Sequence, residues 1–196
     1  MTKVVIDQTI SLDGFSAGPD DDAKHPLGTQ GGEHLFDWYQ GGEVMRGDKR
    51  FAPVGANREI VERMWNAYGA FVAGRRVYDF TDGWHGTHPM VEHVFIVTHR
   101  PAEAPKGKST FAFVPDVPAA IEQAKRAAGD KNVAIGTARI AAQALAAGLV
   151  DEIWLHVAPI VLGGGVRFLD RAMRLEQLES ISAPGATHLR YRVISG

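Results

Sequence analysis

The sequence contains no cysteine, which excludes disulfides, thiol nucleophiles and thiolate metal sites and leaves the compartment open. No apolar run approaches the roughly 18 residues that a membrane-spanning helix needs. Neither sign of charge dominates: 21 Lys and Arg against 23 Asp and Glu give a formal net charge of −2. Nucleic acid and anionic membranes are therefore not expected as partners through bulk electrostatics, and any basic site must be local. The opening MTKVVIDQTI has no basic segment followed by an apolar core. No signal peptide is expected, and a cytoplasmic protein is the default. There is no internal repeat, low-complexity tract or linker.

What is present is an ordinary globular composition, 45% apolar and 22% charged over 196 residues, enough for one domain over residues 1–196 that buries roughly 70% of its unfolded surface. Short Val- and Ile-rich runs predict strands at Lys3 to Thr9, Ala70 to Ala73, Val94 to Thr98 and Thr110 to Val114. Helices are expected after Asn57, which can cap a run through Ile60, Val61 and Met64 to Tyr68, from Arg75 to Phe80, and from Val117 to Ala128 with Ala119, Ile121 and Ala124 facing inward. Gly, Asp and His crowd a stretch at about 16–56, read as a long loop insertion with one short helix around Glu33 to Gln40. Two antiparallel strands, Leu175 to Ser182 and His188 to Ile194, join across Pro184-Gly185. The expected fold class is three-layer α/β/α, with a mixed, mostly parallel sheet and a C-terminal antiparallel hairpin.

The chain is organised around Lys131 to Asp170. Val133 to Ile135 reads as a strand, Gly136 as a tight turn, and the alanine-rich run with Ile140, Leu145 and Leu149 as a helix that closes at Gly148. Glu152 to Leu162 then predicts a longer strand, broken by Pro159 and ended by Gly163-Gly164-Gly165. Those glycines make a bend expected to return Val166 and Phe168 toward a bound cofactor. Strand, helix and returning strand form a crossover unit between parallel strands. A glycine before a helix start lets N–H groups approach an anion, with the positive end of the helix dipole behind them.

Gly136 and its helix, GLVDE, APIVLGGG and FLD, together with SLDGF at Ser11 to Phe15 and GAFVAGRRVYD at Gly69 to Asp79, resemble the riboflavin-biosynthesis reductase domain and its stand-alone relatives. These share the dihydrofolate reductase fold. The resemblance runs through nearly the whole chain in the right order. It implies a dihydrofolate reductase-like domain, an NADPH cofactor and a homodimer.

Three strand ends carry candidate cofactor residues, since ligands of open α/β sheets bind at the carboxyl ends of strands. Gly136, Thr137, Ala138, Arg139 and Ile140 match the family's turn for the cofactor pyrophosphate. The family commonly has a second glycine where this chain has Thr137, whose hydroxyl could itself bind phosphate; the same residues also fit a plain helix cap. Gly74, Arg75 and Arg76 open a helix, where an arginine can hold phosphate bidentately, or where two arginines are simply solvated. Thr98, His99 and Arg100 follow a buried strand. By resemblance this strand end meets the adenosine 2′-phosphate, which implies NADPH over NADH.

On the acceptor side, Asp13 lies where the resemblance puts the active-site loop, although Asp-Gly is also an ordinary turn. Glu59 stands about where dihydrofolate reductase carries its pterin-binding acid, and equally suits the helix dipole. Phe15, Trp38 and Trp84 could form a stacking wall for a flat heterocycle. The histidines at 25, 34, 85, 88 and 93 match no zinc spacing, so no metal is expected. The function expected is an NADPH-dependent reductase, transferring hydride to a C=N or C=O carbon of a small heterocyclic or sugar-derived acceptor, of the riboflavin-pathway type. The alternatives are a dihydrofolate reductase-type pterin reductase, an NADPH enzyme with another aldehyde, ketone or flavin-like acceptor, and a nucleotide-binding module without turnover.

Overall fold

A computed structural model describes residues 1–194. In chain order the elements are β1 Val4–Ser11, β2 Phe15–Ala17, a 3-10 helix Gly32–Tyr39, α1 Gly55–Ala67, β3 Tyr68–Gly74, α2 Arg75–Phe80, β4 His93–Val97, β5 Thr110–Val114, α3 Val117–Ala128, β6 Asn132–Ile135, α4 Ala138–Ala146, β7 Glu152–Ala158, β8 Val166–Arg167, β9 Arg174–Ala183 and β10 Ala186–Ile194. An 8-stranded sheet has the order β5-β4-β3-β6-β1-β7-β10-β9, and β2 pairs with β8 in a small ribbon. The chain divides into two compact units, Met1–Asp7 with Trp65–Glu152, and Gln8–Met64 with Ile153–Ile194.

The first unit is built on parallel pairing. β3 runs parallel to β4 and β6, β4 to β5, and β1 to β6. Strands buried on both faces need apolar residues at every position, and Val72, Ala73, Ile96, Val133, Ala134 and Ile135 are all fully enclosed. α3 starts where the Asp116 carboxylate accepts the Ala119 N–H at 2.8 Å. Its buried stripe is Val117, Ala120, Ile121, Ala124 and Ala128, so the inward position expected for Ala119 belongs to its neighbour Ala120. The N-cap fixes that phase: with Asp116 at the cap, Ala120 falls one turn beyond it.

In the second unit β9 and β10 form the expected antiparallel hairpin, turning at Gly185 with φ 76°. Three other expectations change. β7 ends at Ala158, because Pro159 has no N–H to donate and Ile160 N–H turns back to the Ala158 carbonyl at 2.8 Å. Asn57 lies inside α1, which begins at Gly55, and its side chain is spent elsewhere than on a cap. Residues 163–165 turn the chain back onto SLDGF: Val166 pairs with Ala17, and Phe168 N–H donates to the Gly14 carbonyl at 3.0 Å. Gly165, at φ 122°, must be glycine there, since a Cβ would come 2.1 Å from the Ala17 carbonyl oxygen. The 16–56 stretch is built around Leu35 and Trp38, which are 0% and 2% exposed; Leu35 packs with Phe15, Ala158 and Leu162.

Candidate functional site

The parallel register of the first unit gathers the expected turns. β3 Gly74 pairs with β4 Val97, and β3 Val72 with β6 Ile135. Thr98 and Gly136 therefore leave the strands on either side of β3 at the same carboxyl end as Gly74. One hydrogen bond ties two of the turns together: Arg75 Nη1 donates to the Arg100 carbonyl at 2.6 Å. Beside Gly74 there is room for a methyl, which would meet Ile140 at 3.5 Å. Arg75 Nε also donates to Asp79 at 2.6 Å, so Arg75 serves to fix the β4 turn. Arg76 lies over the Phe80 ring at 4.9 Å. Thr98 Oγ1 accepts the Arg100 N–H at 3.0 Å, and the side chains of His99 and Arg100 are left exposed.

Gly136 has a packing reason to be glycine: a Cβ there would lie 2.5 Å from Phe71 Cζ. The next residue is the informative one. Thr137 precedes α4 in an extended conformation, φ −142° and ψ 131°, and makes no capping bond with its side chain. Its hydroxyl is buried and has no hydrogen-bond partner among the described residues, at 9% exposure of the residue. The first bond of α4 runs from Ala141 N–H to the Thr137 carbonyl at 2.9 Å, which leaves the amides of Ala138, Arg139 and Ile140 outside the helical ladder. An unsatisfied buried hydroxyl costs on the order of 1–3 kcal/mol. A ligand oxygen at the α4 N-terminus would satisfy it together with those amides. Arg139 is exposed beside them.

Trp84 is buried against His88 at 4.7 Å and Phe71 at 6.0 Å, in a turn where Asp82, Gly83, Trp84, His85 and Gly86 all have positive φ. A left-handed turn of this length costs roughly 1 kcal/mol or more per non-glycine residue. Gly86 and Gly107 anchor it by close backbone approach, a Cβ on Gly107 coming 2.0 Å from the Gly86 carbonyl oxygen.

The acceptor-side candidates, apart from Trp84, lie in the second unit. Asp13 accepts hydrogen bonds from Ser11 Oγ at 2.6 Å, Gly163 N–H at 2.7 Å and Leu162 N–H at 3.1 Å. These bonds, the serine's foremost, hold its carboxyl down at about 2, so it is an anion at neutral pH and no proton donor. Phe15 is buried beneath the Arg167 guanidinium, 4.6 Å from the ring centre. Glu59 stands on the exposed side of α1. Trp38 is core, with its ring 3.8 Å from Tyr39, 4.9 Å from His156 and 5.0 Å from His188.

His156 and His188, both fully buried, meet in the core of the second unit. Their Nδ1 atoms are 2.6 Å apart, and His188 Nε2 lies 2.8 Å from Asn57 Oδ1. The available signal was the alternation Trp154-His156-Ala158 in β7 and Ala186-His188 in β10, which puts each imidazole on the inward side of its strand. Among the described residues no group of acids and histidines is placed to hold a metal ion, and no helix is long and apolar enough to cross a membrane.

Residues 2–187 match the family described as the RibD C-terminal domain, and the chain belongs to that family. No curated protein matches the sequence. Among solved structures it is similar to a protein assigned to riboflavin biosynthesis from Shewanella sp. PV-4, at 19% identity and TM-score 0.71, with 99% of this chain and 100% of that one covered. It is similar to RibD of Acinetobacter baumannii at 17% identity and TM-score 0.65; all of this chain is covered, and it spans 59% of that one. Dihydrofolate reductase from Enterococcus faecalis, complexed with NADP(H) and RAB-propyl, shares 10% identity at TM-score 0.58, with 98% and 97% covered. At these identities the likeness establishes a dihydrofolate reductase-like fold.

Proposed function

We propose that the protein is an NADPH-dependent reductase of the riboflavin-pathway type, acting on a small heterocyclic or sugar-derived acceptor. The observation that carries this reading is the unsatisfied Thr137 hydroxyl at the start of α4. Thr137, the glycine turn at Gly136 and the amides of Ala138, Arg139 and Ile140 form an oxygen-seeking cradle of the kind a pyrophosphate fills. Arg139 would add charge. Arg76, Thr98, His99 and Arg100, on turns leaving adjacent strands, would hold the adenosine end, with Arg100 on the 2′-phosphate and Arg75 fixing the Arg100 backbone. Gly74 would open the α2 turn beside them.

Bound there, the dihydronicotinamide would supply a hydride to a C=N or C=O carbon. The protein's part is binding and orientation. In the second unit Asp13 would hold Leu162 and Gly163 in place beside SLDGF, Phe15 would offer apolar surface and Trp38 would support the acceptor-side loop; in the first unit Trp84 would offer apolar surface of its own. Glu59, exposed on α1, is the second acid proposed for the acceptor side. The commitment of Asp13 to two backbone amides favours a second reading, a nucleotide-binding module without turnover. Both bind NADPH; reduction of a ribosylaminopyrimidine phosphate or of dihydrofolate, followed by NADPH absorbance, separates them. The same proposal takes the protein as a homodimer, which light scattering on the eluted protein tests.

A further inference from the structure

The sequence contains two Asp-Gly steps, Asp13-Gly14 and Asp82-Gly83. An aspartate before glycine is open to an uncatalysed rearrangement, because no side chain hinders the next amide nitrogen as it approaches the carboxyl carbon. The fold treats the two steps in opposite ways.

At Asp13 both reacting groups are engaged. The carboxylate accepts Ser11 Oγ–H, Gly163 N–H and Leu162 N–H at 2.6, 2.7 and 3.1 Å, and the Gly14 amide itself donates to the Ser11 carbonyl at 3.0 Å. Those bonds also hold the carboxyl down at about 2, so the acid form, whose hydroxyl can leave as water, is scarce.

Asp82 lacks these restraints. Its side chain is 88% exposed, and among the described residues its one ion-pair partner is His85 Nδ1, at 3.2 Å and itself on an 81% exposed side chain. The backbone is also strained: Asp82, Trp84 and His85 have φ of 47°, 51° and 50°, a left-handed conformation disfavoured for residues that carry a Cβ. Close packing keeps it there. A Cβ on Gly83 would come 2.9 Å from Pro105 Cγ, Trp84 N–H donates to the Thr81 carbonyl at 2.9 Å, and Ser109 N–H donates to the Gly86 carbonyl at 2.9 Å.

We propose that Asp82-Gly83 is a site of spontaneous isoaspartate formation in the folded protein, and that Asp13-Gly14 is protected from it. The Gly83 nitrogen bonds to Asp82 Cγ, and its proton leaves with the carboxyl hydroxyl as water, giving a five-membered succinimide. Water then adds back. Cleavage of the bond from nitrogen to Cγ restores aspartate, while cleavage of the bond to the main-chain carbonyl carbon gives isoaspartate, with no net gain or loss of atoms or electrons. The isoaspartyl chain runs through Cβ and Cγ, one methylene longer, so Asp82 no longer has to hold a left-handed φ and the Thr81–Trp84 bond closes a larger ring.

The test depends on no cofactor or acceptor. The protein is aged for weeks at mildly acidic pH, folded in one sample and unfolded in urea in the other, and isoaspartate at each step is read by peptide mapping with electron-transfer fragmentation, which distinguishes the two linkages at equal mass. The ratio of isoaspartate at 82 to that at 13 should be at least about tenfold higher in the folded sample, the value of even one charge-assisted bond that Asp13 must break. A ratio that folding leaves unchanged, or isoaspartate at 82 no higher than at 13 in the folded protein, overturns the proposal.

Discussion

The Asp13 carboxylate accepts the amides of Leu162 and Gly163, at 3.1 and 2.7 Å, and so fastens the triple-glycine bend to the SLDGF turn. Charge-assisted bonds of this kind are worth more than neutral ones, though solvent screens a partly exposed acid. Asp13→Asn should lower stability by roughly 1–2 kcal/mol. Its folded value, about 2, is below the ordinary 3.8, so its contribution is complete above about 3.8 and is lost as pH falls through about 2. In paired thermal melts, the gap between wild type and variant should be constant near neutrality and narrow below about pH 4. A gap that widens on acidification would contradict the anchor role.

Gly136→Ala brings a methyl 2.5 Å from the Phe71 ring. Phe71 is itself 5% exposed and packs on His88 at 4.4 Å, so it has little room to retreat. Overpacking at this site should cost about 1–3 kcal/mol by denaturant titration. Adding Phe71→Leu should recover part of that cost, which a double-mutant cycle reads as coupling.

Arg100 projects an exposed side chain from a turn whose backbone is fixed by Arg75 and Thr98. Arg100→Ala should weaken NADPH binding by about tenfold or more, the value of one charge-assisted contact, and leave NADH nearly unchanged. Equal losses for both would rule out a 2′-phosphate role.

Much of the architecture was legible because it rests on local signals. Buried parallel strands such as Val94 to Val97 read as apolar runs, Asp116 marks the start of α3, and Pro184-Gly185 marks the hairpin. Where the reading slipped, a distant partner had decided the outcome. Asn57 has the right chemistry for a cap, but the Pro184 carbonyl, 127 residues away, takes its amide. Gly136 looked like a glycine kept for a ligand, and the Phe71 ring gives it a packing reason as well. His156 and His188 are 32 residues apart and meet only because β7 and β10 are neighbours in the sheet. By contrast, the Thr137 hydroxyl was visible in the sequence as a departure from a glycine, and its burial without a partner could be seen only in three dimensions.

The central claim is tested most directly by titrating wild type and Thr137→Val with NADPH, followed by nicotinamide fluorescence, alongside melts of the free proteins. Valine removes the unsatisfied hydroxyl at nearly equal volume, so the free variant should be as stable as wild type or more so. The account predicts NADPH binding by wild type and a loss of about 10- to 100-fold in the variant. Equal affinity in the two proteins, or no binding by either, would contradict it.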